Sequence, residues 1–164
     1  SGSIDATGKI TETGSGDPVS DFADIEEELN LWYQKILEGN RDRLQKIIKS
    51  GDDHVDALTE LYQGVGVKRN HVKEALKTSG LEEKDIENYD MQDSKKFASY
   101  LRKISKPTLI VANKIDVEGA GKNFERLRER YNDMIVIPAS ADSEHTLRRA
   151  EQKELIKYSP GSEK

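Results

Sequence analysis

Apolar positions that recur at steps of three and four residues predict helices in the first two-thirds of the chain. The first helix carries an apolar stripe formed by Phe22, Ile25, Leu29, Trp32 and Ile36. Such a stripe predicts an amphipathic helix, and we expect it, Trp32 included, to face a core. Asp21 is suited to cap the start of this helix and Gly39 to end it, after a polar loop over residues 8–20.

The same spacing continues through a glycine in the next segment. The positions that keep its phase are Leu44, Ile48, Val55, Leu58 and Tyr62. Ser50 and Gly51 alone suggest a helix end, since glycine inside a helix costs about 1 kcal/mol relative to alanine. Because the phase survives across Gly51, we predict one long helix, bent at most there, that ends near Gly64. Paired with the first helix, it would form an antiparallel hairpin with coiled-coil-like packing.

The last third of the chain alternates strands with helices. Two shorter helices precede this part of the chain. Lys106-Pro107 closes the helical section because the residue before proline disfavours helical backbone. The predicted elements are helices near 69–79 and 93–104, strands 108–112 and 134–138, a helix near 121–131, and a last helix from about Ser143 to Glu154. Two strands joined through a helix by short turns imply a parallel sheet, and their continuous apolar runs predict that both sheet faces are covered.

Polar motifs follow both strands. Asn113-Lys114-Ile115-Asp116 comes directly after the first strand, and Ser140-Ala141 comes after the second. In open parallel sheets, ligands bind outside the carboxyl ends of the strands. We therefore expect the two motifs to meet at one ligand site.

These residue types match the hydrogen-bonding groups of guanine. The carboxylate of Asp116 can accept from N1–H and the 2-amino group together, a contact that adenine does not satisfy. Asn113 can reach the O6/N7 side and tie the loops together, while the stem of Lys114 lies along the purine face. The N–H of Ala141 can donate to O6, and the Ser140 hydroxyl can hold Asp116 in place.

Asn-Lys-x-Asp alone is also ordinary turn chemistry. The order of strand, motif, helix, strand and Ser-Ala favours guanine recognition, as in GTP-binding P-loop proteins. No Gly-x-x-x-x-Gly-Lys-Ser/Thr phosphate loop occurs in the 164 residues. The sequence therefore predicts a chain that recognises a guanine base but lacks a phosphate-binding loop of its own.

The chain resembles P-loop GTP-binding proteins of the Obg-related, YchF-like (Obg-like ATPase) family, particularly the archaeal branch. The segments that carry the resemblance are 4–9, 24–33, 64–67, 106–107, 138–141, 146–148 and 158–161. Many members of that family have Glu at the end of the base motif, which favours ATP. Asp116 stands there in this chain, so GTP or GDP is the expected ligand.

The resemblance implies an α/β fold, namely a partial P-loop NTPase (Rossmann-like) parallel sheet with an inserted α-helical hairpin or coiled coil. Residues 1–20 would be the end of a G-domain strand plus a loop, 21–106 the helical insertion, and 107–164 the C-terminal half of the G domain. The resemblance implies that the family's P-loop, switch threonine, Asp-x-x-Gly switch motif and TGS domain lie outside this chain. We therefore expect a fragment of a translation-associated GTPase, with Mg²⁺ bound only in the parent and the fragment itself inactive.

Composition limits the remaining partners. The chain is 35% charged with a net charge of −5, which argues against a broad nucleic-acid surface and against DNA as a ligand. Ribosome or RNA contact by the helical insertion is the alternative function, although interspersed acids favour solvated faces for each basic cluster. His54, His71 and His145 are isolated and cysteine is absent, so neither a metal site nor a catalytic residue is expected. No apolar run has membrane-spanning length, and the cytoplasm is the expected location.

Overall fold

Two compact units make up the part of the chain that the structure, a computed structural model, describes, namely residues 16–51 and 53–161. One unit comprises the described residues up to Phe22 and those from Leu109 on, and the other is Ala23–Thr108. The strand end expected at residues 4–9 lies outside the described residues. Among those that are described, no helix combines the length and apolarity needed to cross a lipid bilayer.

Seven α-helices, two short 3-10 helices and a two-stranded sheet are formed by the described residues. The helices are α1 (Pro18–Gly39), α2 (Arg41–Lys49), α3 (His54–Tyr62), α4 (Arg69–Ser79), α5 (Met91–Ser105), α6 (Ala120–Arg130) and α7 (Ala141–Gln152), and the strands are β1 (Leu109–Ala112) and β2 (Ile135–Pro138). The strands run parallel, with Leu109 opposite Ile135. A helix-rich α/β fold with a small parallel sheet is thus confirmed.

Helix α1 begins three residues before the predicted cap at Asp21. Proline suits a first helical position because its fixed φ is helical and it has no N–H to satisfy. Asp17 precedes Pro18, its Oδ1 accepts from the N–H of Val19 at 3.2 Å, and its carbonyl accepts from the N–H of Asp21 at 2.9 Å. Residues 18–20, predicted as loop, therefore form the first turn of the helix.

The middle of the apolar stripe of α1 does not face the core, although the two ends of the stripe pack against buried clusters. Ile25, Leu29 and Trp32 are 54%, 40% and 48% exposed, whereas Tyr33 and Leu37 are buried. The prediction that Trp32 lies in the core was therefore wrong. The buried positions of the helix each follow a position of the apolar stripe by one residue in the sequence.

An ion-pair network on α5 explains this rotation. The buried guanidinium of Arg102 contacts Glu26 Oε1 at 2.5 Å and Asn30 Oδ1 at 2.8 Å, so two polar side chains of α1 face inward. A buried guanidinium requires such partners. Hydrophobic periodicity treats these polar positions as solvent-facing and therefore assigns the wrong face.

Helices α2 and α3 replace the single long helix predicted across Gly51. Gly51 has a φ of +99°, which lies outside the helical region and is accessible chiefly to glycine. A new helix then starts under its own cap, because the side chain of Asp53 accepts from the N–H of Val55 at 2.6 Å. The predicted hairpin with one long helix, and the coiled-coil packing that depended on it, are therefore not formed as expected.

The core of the helical unit centres on a buried tyrosine of α3. Tyr62 stacks on Tyr33 with ring centroids 5.6 Å apart, and Phe97 lies edge-on to it. Its hydroxyl donates to the carbonyl of Tyr33 at 2.7 Å, and burial raises the pKa of Tyr62 above its usual value. This hydrogen bond satisfies the one polar group that α3 brings into the apolar interior.

The sheet unit is packed on one face only. Ile110 packs with Leu127 and Tyr131 of the α6 region, and the Tyr131 hydroxyl donates to the carbonyl of Val19 at 3.1 Å. On the opposite face, Leu109, Val111, Ile135 and Ile137 are exposed. Within the described residues, the expectation that both sheet faces are covered was therefore wrong.

Two glycine substitutions test the break at Gly51. We expect Gly51→Ala to lower the free energy of unfolding by about 1 kcal/mol, because an L side chain is disfavoured at positive φ. No atom lies within 4 Å of the added Cβ, so the cost is conformational rather than steric. Gly39→Ala is the matched control at a helix terminus with equal space, and it should be neutral or stabilising by up to about 0.5 kcal/mol. Urea denaturation measures both changes, and stabilisation by Gly51→Ala would indicate a continuous helix instead.

Candidate functional site

A cavity of about 640 Å³ opens at the carboxyl ends of the two strands. Its walls come from the loop between β1 and α6 and from the start of α7. The lining residues are Asn113, Lys114, Asp116, Val117, Ala141, Asp142 and His145. Four of the five residues predicted from sequence line this cavity, and the fifth, Ser140, is the N-cap of α7.

Backbone hydrogen bonds hold the two loops together behind the cavity. The N–H of Ala139 donates to the carbonyl of Ala112 at 3.0 Å, which continues the strand pairing past β2. The N–H of Ile115 then donates to the carbonyl of Ala139 at 3.1 Å. These contacts fix the loop that carries Asp116 against the segment that begins α7.

The side chain of Asn113 bridges the same two segments. Its Oδ1 accepts from the N–H of Lys114 at 2.8 Å and from the N–H of Ala141 at 3.1 Å. The Ala141 amide, which the sequence assigns to O6 of guanine, therefore donates to Asn113 in this structure. Asn113 thus ties the two loops together through its side-chain amide, as predicted from the sequence.

Lys114 adopts an unusual backbone conformation for its residue type. Its φ is +64°, in the left-handed region where residues with a side chain are disfavoured. Contacts on both sides hold it there, because its N–H donates to Asn113 Oδ1 and its carbonyl accepts from the N–H of Val117 at 3.2 Å. Such conformations are concentrated at functional sites, where surrounding contacts compensate for the strain.

The carboxylate of Asp116 is exposed and is stabilised in its ionised form. Hydrogen bonding from the Ser140 side chain, followed by the backbone N–H of Asp116, holds the pKa of Asp116 below its usual value. Ser140 Oγ also accepts from the N–H of Ser143 at 3.1 Å, which caps α7, and lies 2.7 Å from Ser143 Oγ. Ser140 donates its hydroxyl hydrogen in the contact with Ser143 Oγ, and because a hydroxyl rotates about its C–O bond, the same hydrogen can also turn toward Asp116.

Three lining residues were not among the predicted site residues: Val117, Asp142 and His145. Helix α7 begins at Ala141, two residues before its predicted start. This earlier start puts Asp142 in the first turn and His145 one turn further along the same side of the helix. The position of His145, four residues after Ala141 and three after Asp142, is the sequence signal that could have identified both residues.

The donor set suits an organic ligand. Among the residues that the structure describes, no group of three or more His, Asp or Glu side chains is placed to hold a metal ion. The cavity offers two carboxylates, one ammonium group on an aliphatic stem, one imidazole and the amino-terminal end of a helix. These groups can satisfy the edges of a planar heterocycle, and we assign no metal ion to them.

Comparison with known proteins relates this arrangement to GTP-binding proteins. Residues 111–164 match the family described as Obg-like GTPase YGR210-like, G4 motif-containing domain. The uncharacterized GTP-binding protein MJ1332 of Methanocaldococcus jannaschii is 38% identical over 157 residues, which are 96% of this chain and 39% of that protein. The uncharacterized GTP-binding protein C428.15 of Schizosaccharomyces pombe is 28% identical over 164 residues, which are 99% of this chain and 39% of that protein.

The fold has a counterpart among solved structures. The crystal structure of a GTP-binding protein from Pyrococcus horikoshii OT3 matches with a TM-score of 0.83 and 34% identity. The match covers 97% of this chain and 46% of the Pyrococcus chain. This chain thus spans less than half the length of each of these relatives.

These similarities point to the Obg-like GTPases as a group and do not single out the YchF-like branch that was predicted from the sequence. By sequence and by fold, the chain is related to the Obg-like GTPases and to proteins described as GTP-binding.

Proposed function

We propose that this chain binds the guanine base of GTP or GDP in the cavity at the ends of β1 and β2. The observation that carries the proposal is the position of Asp116. Its exposed carboxylate, with a lowered pKa, lines the cavity together with the amino-terminal end of α7. Similarity to proteins described as GTP-binding supports the choice of nucleotide.

Asp116 supplies specificity in this proposal. An ionised carboxylate accepts hydrogen bonds only, and guanine presents two neighbouring donors at N1 and the 2-amino group. Adenine presents an acceptor at N1, which would face the carboxylate with no hydrogen between them. The Ser140 hydroxyl hydrogen-bonds to the carboxylate and extends its ionised range to lower pH, so its role is that of a positioning residue.

The remaining predicted residues shape the rest of the site. The left-handed turn at Lys114 directs the chain around the cavity rim, and its aliphatic stem covers one face of the base. The N–H of Ala141 stands at the amino-terminal end of α7, where the helix dipole favours the partial negative charge of O6. Asn113 shares that amide hydrogen with the ligand and keeps the two loops in register.

The proposal covers base recognition and assigns no phosphoryl-transfer step to this chain. Catalysis of that kind needs backbone amides, a lysine and Mg²⁺ around the phosphates, and the 164 residues contain no P-loop motif. We expect base contacts without a phosphate cradle to bind weakly. A GTPase activity of a longer protein, and its association with translation, rest on the resemblance alone and stay predictions.

Replacing Asp116 by asparagine tests the base assignment. The amide offers a donor where guanine also has donors, whereas xanthine has a carbonyl at C2 that accepts from it. We expect Asp116→Asn to weaken guanosine binding about tenfold or more and to improve xanthosine binding. Titrations monitored by NMR of the backbone amides measure both affinities.

Asp133→Asn is the matched control, because it removes the same charge from an exposed residue that does not line the cavity. It should leave both affinities unchanged. Equal loss of guanosine binding in the two variants, or an unchanged base preference in Asp116→Asn, would contradict the assignment.

The Ser140 hydroxyl gives a pH-dependent test. Because its hydrogen bond lowers the pKa of Asp116, the carboxylate stays ionised to lower pH than usual, and binding is lost as pH falls through that pKa. In Ser140→Ala we expect the pKa of Asp116 to rise and guanosine binding to fail at a higher pH on the acid side. Carbon-13 NMR of the carboxyl group measures the titration. Ser140→Thr keeps the hydroxyl and should retain the low pKa, while an unchanged titration in Ser140→Ala would remove Ser140 from this role.

A second candidate function belongs to the helical unit, as an interaction module. The exposed apolar side chains of Ile25, Leu29 and Trp32 on α1 favour it. Several basic residues of this unit are already paired with acids, in the contacts Arg43–Glu60 at 2.6 Å, Lys95–Glu27 at 2.8 Å and Arg69–Asp56 at 2.5 Å. Paired cations attract phosphate less, so this surface suits a protein component of the ribosome better than RNA.

Co-sedimentation with purified ribosomes tests the second candidate. Apolar contact should persist at about 200 mM salt, where binding through phosphates falls steeply. We expect Leu29→Ser combined with Trp32→Ser to abolish it, and Met91→Ser, which changes an exposed apolar residue of the same unit, to leave it intact. Absence of co-sedimentation at low salt would count against the module.

A further inference from the structure

The α7 side of the cavity carries the one aromatic ring among the lining residues, the imidazole of His145. His145 lies four residues after Ala141 and three after Asp142, so it shares with them the face of α7 that borders the cavity. Its side chain is exposed. Within the described part of the chain, no hydrogen bond or ion pair engages the imidazole. The ring is therefore available to a ligand.

A bound purine needs contacts at its faces as well as at its edges. Asp116 and the Ala141 amide are edge groups, since both form hydrogen bonds in the plane of the base. The aliphatic stem of Lys114, on the loop side, can cover one face. The helix side offers the methyl group of Ala141, the charged side chain of Asp142 and the ring of His145. Only the imidazole presents a flat, polarisable surface to the second face.

We propose that His145 stacks on the face of the guanine opposite Lys114 and contributes affinity rather than base specificity. This inference rests on the proposed function, because it places the ring against a base held by Asp116. Stacking tolerates different bases, since every base has a π face. His145 and Asp116 therefore have different roles. His145 adds affinity for any purine, and Asp116 selects guanine over the other purines.

Histidine NMR signals allow a direct test on the whole chain. The sequence contains three histidines, and His54 and His71 belong to the other compact unit, where they serve as internal references. The probe is guanosine, which has no phosphate and so reports on base and ribose contacts alone. We expect the ring protons of His145 to shift upfield as guanosine is added, because they lie over the purine ring, and those of His54 and His71 to stay unchanged.

Substitutions separate stacking from polar contact. His145→Ala should weaken guanosine binding about tenfold, and His145→Phe should restore most of that loss because it keeps a flat ring. Xanthosine affinity should fall by the same factor in His145→Ala, so that the guanosine-to-xanthosine ratio does not change. His54→Ala is the matched control and should bind guanosine as the wild type does. Because His145 is exposed and has no partner among the described residues, we expect both of its variants to fold.

Each outcome decides one point. If guanosine shifts the amides of Asn113, Lys114 and Asp116 but His145→Ala binds equally well, stacking is overturned and the proposed function stands. If His145→Ala is weak and His145→Phe does not recover, His145 acts through its polar nitrogens and stacking is again overturned. If guanosine produces no saturable shifts at those amides in the wild type, the proposed function fails, and this inference fails with it.

Discussion

The double hydrogen bond accepted by Asn113 is the interaction on which the site depends. One oxygen atom holds the N–H groups of Lys114 and Ala141, which belong to the loops that follow β1 and β2. Parallel pairing alone brings the two strand ends to the same edge, but it leaves the loops beyond them free. The Asn113 bridge, with the backbone contacts of Ala139, fixes those loops as a pair. The left-handed turn at Lys114 and the placement of Asp116 follow from that constraint.

At such an exposed site, specificity for guanine has to come from the hydrogen-bonding groups of the side chains, because the protein does not enclose the base. Asp116 is open to solvent, so water competes for its hydrogen bonds and each contact contributes little net free energy. The penalty for a wrong base remains, because a carboxylate without a donor loses its hydration and gains nothing. The Ser140 hydroxyl extends this discrimination to lower pH, because its hydrogen bond lowers the pKa of Asp116. Affinity then has to come from the faces of the base, where Lys114 and His145 are available.

The parts of the fold that follow from local chemistry could be predicted, and the parts set by tertiary contacts could not. Helix α4 has the predicted bounds because Gly80, with a φ of +69°, ends it in sequence and in structure alike. The break at Gly51 was missed because hydrophobic phase carries no information about φ. The rotation of α1 was missed because a polar residue that pairs with buried Arg102 looks like a solvent-facing one. His145 was missed because the predicted start of α7 was two residues too late to reveal its spacing from Ala141.

The most direct test of guanine recognition compares two nucleosides on the same labelled chain. Guanosine and adenosine are titrated separately while the backbone amide signals of residues 113–117 and 139–142 are followed by nitrogen-15 NMR. Recognition through Asp116 predicts saturable shifts confined to those amides with guanosine and none with adenosine at the same concentration. Equal responses to the two nucleosides, or shifts located elsewhere in the chain, would contradict it.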